Sequence, residues 1–161
     1  MLQRFSQWID NRHNYAKEWK KKTGGKVVGT ICTYIPEEIL YAADILPVRI
    51  FGSHEAPTPA EPYMFAGLSC PFSRDCLSQG LRGRYDYLDG IMIAQTCFQT
   101  RPVFWIWEKY VPIDYRYFLI MPQAVQFAVG RYKYLAAELA AFKESIEKWI
   151  GKTITNEDLD K

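Results

Sequence analysis

Short apolar runs that alternate with longer amphipathic segments constrain the fold of this chain more than any other feature of its sequence. The first run, residues 26–34, is rich in β-branched residues and nearly continuous in its apolarity, as expected of a strand covered on both faces. Three further runs predict strands at residues 48–51, 89–94 and 117–121. Amphipathic or proline-initiated segments predict helices at residues 2–22, 36–46, 71–80, 102–110 and 130–150. Since parallel strands need helical crossovers, this alternation predicts an α/β fold with an open parallel sheet flanked by helices.

The two terminal helices carry the clearest apolar stripes. In the last one the apolar residues recur at spacings of 4, 3, 4 and 3, at Leu135, Leu139, Phe142, Ile146 and Trp149. In the first one the stripe consists of Leu2, Phe5 and Ile9, with Trp8, Tyr15 and Trp19 beside it. Thr155 is followed by acidic residues, which is a helix-start signal with few residues left behind it. This signal suggests a chain that has been cut, and a frayed polar tail is the alternative.

Composition limits the classes of protein to which the chain can belong. At 161 residues it matches one ordinary domain, and we expect an N-terminal helix over residues 1–25 followed by one α/β lobe over residues 26–161. The net charge of +2 is small, and the basic residues are dispersed apart from the run at residues 20–22, which argues against nucleic-acid binding. No secretion signal and no apolar stretch of ~18 residues is present, so we expect a cytoplasmic protein that does not bind membranes.

Four cysteines without a secretion signal argue for core packing, metal binding or redox chemistry rather than a disulfide framework. Cys70 directly precedes Pro71 at the start of a predicted helix, where free N–H groups and the helix dipole favour a thiolate. Cys97 follows the strand at residues 89–94 and so lies at the carboxyl edge of the sheet, where open α/β sheets bind ligands. The two thiols can therefore converge on one crevice. The alternative is that both pack as small hydrophobic side chains, since no Cys-x-x-Cys pair is present.

The other two cysteines are weaker candidates. Cys76 lies nearly two helical turns after Cys70 and is a reserve ligand or a core thiol. Cys32 falls inside the first predicted strand, which favours packing. A closed zinc site built from all four cysteines remains open, although their spacings match no common zinc pattern.

Several segments together carry a family resemblance. The chain resembles the benzoyl-CoA reductase and 2-hydroxyacyl-CoA dehydratase family over nearly its whole length. The segments that carry the resemblance are Lys-Val-Val-Gly-Thr at 26–30, Pro-Glu-Glu-Ile-Leu-Tyr-Ala-Ala-Asp-Ile-Leu-Pro-Val-Arg at 36–49, Cys-Pro-Phe-Ser-Arg at 70–74, Tyr-Asp-Tyr-Leu-Asp-Gly at 85–90, Thr-Cys at 96–97 and Gly-Lys-Thr-Ile-Thr at 151–155. The resemblance implies a Rossmann-like α/β lobe that is the N-terminal lobe of a longer two-lobe subunit, with the C-terminal lobe absent from this sequence.

The resemblance also implies a cofactor and partners. The family holds a [4Fe–4S] cluster, and the match carries Cys70 and Cys97 over as metal ligands, with a third cysteine expected from the missing C-terminal region. The implied partners are a homologous second subunit, an ATP-hydrolysing iron–sulfur activator that supplies a low-potential electron, and a CoA-thioester substrate. Such enzymes are oxygen-sensitive and occur in anaerobes, and we expect the isolated fragment to be inactive.

Four polar residues near the predicted crevice are candidates for other roles. His54 and Glu55 lie on a proline-rich loop after the second strand and could transfer protons, or could form a solvated loop pair. Ser73 and Arg74 lie in the first helical turn behind Cys70 and could contact the CoA thioester, or simply solvent.

The expected function follows from the resemblance. We expect a subunit of an ATP-dependent, radical-type CoA-thioester enzyme, and an aromatic content of 16% favours the dearomatising benzoyl-CoA reductases. A 2-hydroxyacyl-CoA dehydratase, which expels a hydroxyl group, is the alternative within the family. A non-catalytic assembly module, whose exposed helices dock onto a homologous chain, is the alternative from another class.

Overall fold

The fold is a four-stranded, all-parallel sheet with helices on both faces. A computed structural model describes residues 2–122 and 130–160. The strands are β1 (Val27–Ile31), β2 (Leu46–Arg49), β3 (Gly90–Ala94) and β4 (Tyr115–Leu119). The helices are α1 (Leu2–Thr23), α2 (Glu37–Ala42), α3 (Pro71–Leu81), α4 (Arg101–Tyr110), α5 (Arg131–Ile150) and α6 (Asn156–Leu159), with 3-10 turns at Thr58–Ala60 and Phe98–Thr100. The predicted α/β fold with a Rossmann-like open parallel sheet is thus confirmed.

The strand order β2-β1-β3-β4 creates a topological switch point. From β1 the chain crosses outward to β2 at one edge, and it then returns to β3, on the opposite side of β1, before reaching β4 at the other edge. At such a point the crossovers leave in opposite directions and open a crevice at the carboxyl ends of the two central strands. Here those strands are β1 and β3.

Two layers of core cover the two faces of the sheet. Alternate residues of β3 divide between them, with Ile91 and Ile93 in the layer that contains α3 and α4, and Met92 in the layer that contains α2 and α5. The predicted stripe of α5 is confirmed, since Phe142 and Ile146 are fully buried in the second layer. Burial on both faces explains why the central strands have continuous apolar sequences.

Several predicted boundaries differ from the structure. α2 ends at Ala42 because Asp44 takes a left-handed conformation (φ 55°) and the Ile45 N–H turns back to the Leu40 carbonyl, so that β2 begins earlier than predicted. β1 ends at Ile31, and the chain leaves the sheet at this residue. The prediction that Cys32 lies inside the first strand is therefore wrong.

α1 is anchored to the sheet through its C-terminal half. Lys20 Nζ donates to the Tyr87 carbonyl at 2.8 Å and to Asp89 Oδ1 at 3.0 Å, and the other Asp89 oxygen accepts the Val27 N–H at 2.8 Å. The apolar residues of its N-terminal half remain about half exposed, namely Phe5, Trp8 and Ile9. The side chain of Leu2, which the sequence places on the same stripe, lies outside the described residues. Among the helices of the described chain, none is long and apolar enough to cross a membrane.

Candidate functional site

The candidate site lies at the carboxyl ends of β1 and β3, where the switch point opens. Cys32 directly follows β1, and Cys97 follows β3 after a short turn. Cys70 belongs to the segment that leads into α3. The prediction that Cys70 and Cys97 approach the same crevice depends on whether anything joins these two segments.

Gln99 joins them. The backbone N–H of Cys70 donates to Gln99 Oε1 at 3.2 Å, and the backbone N–H of Gln99 donates to the Cys97 sulfur at 3.4 Å. One residue therefore bonds to the backbone beside one thiol and to the sulfur of the other, across 29 positions of sequence. This arrangement brings the two cysteines to a common edge of the molecule.

The local backbone suits both sulfurs for coordination. Cys70 is the N-cap of α3, and Pro71 follows it at the first helical position. No side chain caps this helix, so its free amides lie next to Cys70. Cys97 is exposed and caps the following 3-10 turn, whereas Cys70 is half-buried.

The number of donors is smaller than a cluster requires. A [4Fe–4S] cluster is usually held by four cysteine thiolates. Within residues 2–122 and 130–160 there is no group of three or more His, Cys, Asp or Glu side chains that could hold a metal ion. The donor chemistry of Cys70 and Cys97 thus fits part of such a site, and further ligands would have to come from elsewhere.

Cys76 is a core thiol. It is fully buried between α3 and the sheet, and its sulfur points towards the Ile50 carbonyl at 3.9 Å. Burial, reinforced by the neighbouring Asp75 carboxylate, raises the pKa of Cys76 to about 12. A thiol in this state is a poor ligand at neutral pH, because a metal binds the thiolate.

Cys32 occupies the switch point itself, a position that its sequence context did not predict. It has a left-handed backbone (φ 68°) and is half-buried. Burial acts to raise the pKa of its thiol, but polar interactions with Thr96 and Thr33 and the positive charge of Arg49 outweigh burial, so the pKa is lowered. Cys32 is therefore a half-buried thiol, packed against the core, whose pKa is lowered, and it lies beside Thr96, the residue before Cys97.

A cavity of about 550 Å³ adjoins the Cys70 segment. Pro71 and Phe72, which directly follow Cys70, form one wall, and Phe51, His54 and Glu55 belong to the lining as well. The predicted proton-transfer residues thus lie in a concave site next to a candidate ligand. The volume falls in the range of small-molecule sites.

Within this cavity His54 and Glu55 differ in how far other residues already occupy their polar groups. Glu55 accepts from the Arg84 guanidinium with both oxygens, at 2.6 and 2.8 Å, and Arg82 lies 3.7 Å away. Its carboxylate is already occupied by guanidinium donors. The backbone of His54 is left-handed (φ 61°), and its backbone N–H donates to Asp75 Oδ2 at 2.8 Å.

Asp75 holds the wall of the cavity in place. Its Oδ2 accepts the backbone N–H groups of Ser53 and His54, both at 2.8 Å, and its Oδ1 accepts from Gln79 Nε2 at 2.7 Å. A Cβ at Gly52 would collide with this carboxylate, so only glycine permits the close approach. Asp75 therefore fixes the loop after β2 to α3.

Ser73 and Arg74 are more enclosed than their predicted role suggests. Ser73 is 2% exposed, and its hydroxyl has no hydrogen-bond partner among the described residues. The Arg74 side chain is 11% exposed and lies 3.6 Å from a carboxylate oxygen of Glu61. Contact of these two residues with a CoA thioester stays a prediction.

Sequence patterns missed Gln99, Asp75 and the position of Cys32. A glutamine two residues after a cysteine and an aspartate in a helix have no distinctive local signature. For Cys32 a signal existed, because the chain reaches Pro36, the start of a helix, only four residues later. A strand must end before such a connection, and the residues of the connection lie at the carboxyl edge.

Known proteins match this chain over most of its length. The family model described as 2-hydroxyglutaryl-CoA dehydratase, D-component, matches residues 32–161. The (R)-phenyllactyl-CoA dehydratase beta subunit of Clostridium sporogenes is 29% identical, over 98% of this chain and 41% of its own length. One of the subunits of benzoyl-CoA reductase from Thauera aromatica is 30% identical, over 89% of this chain and 38% of its own length.

A third relative agrees with these two. The (R)-2-hydroxyglutaryl-CoA dehydratase beta subunit of Acidaminococcus fermentans is 30% identical over 85% of this chain and 36% of its own length. The chain thus spans about two fifths of the length of the curated relatives that it matches. The residues matched by the family model include Cys32, Cys70 and Cys97 and the strands β2, β3 and β4. The chain belongs to the 2-hydroxyglutaryl-CoA dehydratase D-component family, to which benzoyl-CoA reductase and 2-hydroxyacyl-CoA dehydratase subunits are related.

Proposed function

We propose that this chain forms the cysteine-bearing N-terminal lobe, residues 26–161, of a subunit in an enzyme complex that acts on a CoA thioester. Family membership supports this class of function. The observation that carries the assignment of the site is the bridge through Gln99, which brings Cys70 and Cys97 to one edge of the switch point.

In this proposal Cys70 and Cys97 are two ligands of a [4Fe–4S] cluster. Such a cluster supplies one-electron transfer when bound. The chain contributes two sulfur ligands, one of which, Cys70, lies at the uncapped start of α3. The remaining ligands come from beyond the described residues. Cys76 is excluded from the preferred set because its thiol is buried with a raised pKa.

The substrate binds in the cavity beside Cys70. Phe51 and Phe72 give the cavity apolar walls, and His54 lies at its lining as the candidate proton donor. The carboxylate of Glu55 is held by Arg84, so its proposed role is to keep the charge and shape of the loop rather than to transfer a proton. For Arg74, the proposal is that it exchanges Glu61 for an anionic group of the substrate, with Ser73 behind it.

Of the two branches of the family, we propose benzoyl-CoA reduction, with electrons and protons added to the aromatic ring. The aromatic walls of the cavity support a flat acyl group. Dehydration of a 2-hydroxyacyl-CoA is the second candidate, and the description of the matching family model favours it. The proposed partners are a homologous subunit and an ATP-hydrolysing iron–sulfur activator as the source of electrons.

The first experiment measures the iron content of the complex. The natural gene product that contains this chain is purified anaerobically with its partner subunit, and iron and acid-labile sulfide are measured. We expect Cys70→Ser and Cys97→Ser each to lose most of the iron and sulfide, because each removes a ligand. Cys76→Ala is the matched control, since it removes a thiol of the same α3 segment that is buried and protonated. Full iron in the Cys70→Ser/Cys97→Ser double variant would overturn the assignment.

The reaction is then assayed with the activator, ATP and a reductant. Loss of the benzoyl absorbance from benzoyl-CoA supports the reductase branch. Formation of an α,β-unsaturated thioester from phenyllactyl-CoA, with benzoyl-CoA unchanged, supports the dehydratase branch instead. A folded, iron-free complex inactive on both thioesters would leave the assembly module as the better description.

A further inference from the structure

A second cavity, of about 510 Å³, lies away from the cysteine pair, between the N-terminal half of α1 and the edge strand β2. Phe51 lines both this cavity and the one beside Cys70, so the two adjoin at this residue. The second cavity is absent from the proposed function, which uses neither α1 nor β2.

The walls of this α1–β2 cavity are aromatic. Trp8 and Tyr15 come from α1 and are 55% and 56% exposed, and Phe51 is 39% exposed. Large aromatic side chains usually bury most of their surface, whereas these three leave much of theirs in water. The cavity thus offers an apolar slot in which a flat group would remove aromatic surface from water.

Two arginines give the same cavity a positive charge. Arg12 and Arg49 line it, and none of the ten lining residues is an aspartate or glutamate. The Nε atoms of both arginines are buried without a hydrogen-bond partner in the part of the chain that the structure describes. Over that same part, no ion pair involves Arg49, whose guanidinium instead lies 6.0 Å from the Phe51 ring centre.

Guanidinium groups at an apolar wall are costly unless acceptors reach them. Arg12 donates from Nη1 to the Ile9 carbonyl at 2.6 Å and interacts with the Tyr85 hydroxyl, which holds its side chain at the cavity with neutral partners only. Arg84, by contrast, pairs with the carboxylate of Glu55 at 2.6 Å. Within the described residues neither Arg12 nor Arg49 forms an ion pair with a carboxylate, although the charge of Arg49 also acts on the Cys32 thiol.

The edge of β2 argues against a peptide strand as the occupant. The backbone N–H groups of Leu46 and Ile50 donate to carbonyls of the segment that contains β1. Because the hydrogen-bonding direction alternates along a strand, the backbone groups of Pro47 and Arg49 are the ones that face the free edge of the sheet. Pro47 has no N–H to offer an added strand. Strand addition, a common mode of peptide docking at sheet edges, is thus disfavoured here. The size of the cavity matches a small molecule.

We propose that the α1–β2 cavity binds a small amphipathic anion, whose carboxylate or phosphate pairs with Arg12 and Arg49 and whose flat apolar body packs against Trp8, Tyr15 and Phe51. The cavity, its charge and its walls carry this inference, which is independent of the iron–sulfur proposal.

The test uses three probes of one shape: 2-naphthoate, 2-naphthyl phosphate and the uncharged 2-naphthamide. Binding to the 161-residue chain is measured by isothermal titration calorimetry. We expect both anions to bind more tightly than the amide. Arg49→Gln weakens binding of the anions roughly tenfold or more, the effect of losing one charge-assisted hydrogen bond, and leaves binding of the amide unchanged. The anion that binds more tightly identifies the charged group as carboxylate or phosphate.

Two further variants make the result specific. Arg116→Gln is the matched control, because Arg116 lies on β4 at the far edge of the sheet and pairs with Glu108 at 3.6 Å. It should leave binding of all three probes unchanged. Trp8→Ala should weaken binding of the anions and the amide alike, because it removes the shared apolar wall.

The inference is overturned if the amide binds as tightly as the anions, or if Arg49→Gln and Arg116→Gln have equal effects. It is also overturned if neither anion binds the folded chain at millimolar concentration, and the oligomeric state of Arg49→Gln is then compared with that of the unaltered chain to look for a change. Such a change would assign the surface to contacts between protein chains.

Discussion

Asp75 is the residue on which the geometry of the proposed substrate cavity depends. Replacing it with alanine removes the acceptor of two backbone N–H groups, those of Ser53 and His54. Hydrogen bonds to a charged group contribute about 1.5–3 kcal/mol each. Both bonds are only partly buried, so water can replace part of this energy, and we take the lower end for each. The expected loss of unfolding free energy for Asp75→Ala is therefore about 3 kcal/mol.

Asp75→Asn should cost much less, about 1 kcal/mol, because an amide oxygen can still accept the two N–H groups. The Gln79 side chain can adapt to the change. Its Oε1 is buried without a partner among the described residues, and a rotation of the Gln79 amide would present that oxygen to the new amide donor at the substituted position. The two substitutions thus separate loss of the acceptor from loss of charge.

The assay is equilibrium urea unfolding combined with hydrogen exchange of the two amides. With a urea dependence of about 2 kcal/mol per molar, the Asp75→Ala midpoint should fall by roughly 1.5 M, and the Ser53 and His54 amides should exchange faster. Asp86→Ala is the control, since its carboxylate is 67% exposed and lies 3.8 Å from Lys17, and it should change stability by less than about 0.5 kcal/mol. If Asp75→Ala matched Asp86→Ala in stability and left both amides protected, the role assigned to Asp75 would be refuted.

Three other predictions concern the thiols, the pH dependence and the core. Iodoacetamide at pH 8 should label exposed Cys97 in the folded chain and spare Cys76, whose burial raises its pKa to about 12, until urea unfolds the protein. Burial, with nearby positive charges, lowers the pKa of His13 below its ordinary 6.5. The stability that neutral His13 contributes is therefore fully present above pH 6.5 and is lost on acidification. The His13→Asn variant should accordingly lose less stability than the wild type below pH 6.5. Gly80→Ala would place a methyl group 2.6 Å from the buried Trp107 ring, and overpacking of about 1–3 kcal/mol, less about 1 kcal/mol of helix propensity, predicts a net loss of up to about 2 kcal/mol.

Each of these expectations has a result that contradicts it. Equal labelling of the two thiols in the native state would place Cys76 at the surface. Parallel pH curves for wild type and His13→Asn, measured as melting temperature between pH 7.5 and 5, would show that His13 titrates alike in both states. For Gly80, the comparison is Ser78→Ala, which removes a buried hydroxyl without a described partner and adds no atoms. A Gly80→Ala variant as stable as Ser78→Ala would show that α3 and α4 are not in close contact.

Local sequence spacing was sufficient for the elements of this fold. Phe142 and Ile146 follow one another at helical spacing and are both buried on one face of α5. The β3 run is apolar at every position because its strand is central and covered on both sides. Thr155 with Asp158 forms a capping box that starts α6, as the order of these residues predicts.

Local spacing was insufficient where the backbone leaves an element. The apolar run at the end of β1 continues through Cys32 to Tyr34, yet both of these residues have left-handed backbones. The following crossover imposes this change in φ, and the polarity of the side chains does not indicate it. The predicted strand was therefore too long: Cys32 does pack against the core, as predicted, but it lies beyond the end of β1, at the switch point.

The order of the residues was enough to predict the strands, the helices and the parallel sheet. It was also enough to predict that Cys70 lies at a helix start and that Cys97 follows a strand. These features depend on neighbours within a few positions, whose periodicity reflects which faces are covered. Two others required the folded chain: the bridge by which Gln99 ties Cys70 to Cys97, and the meeting of Arg12 with Arg49 at an aromatic cavity. Those residues are far apart along the chain, and their proximity arises from strand order and from helix packing against the sheet, which no local pattern encodes.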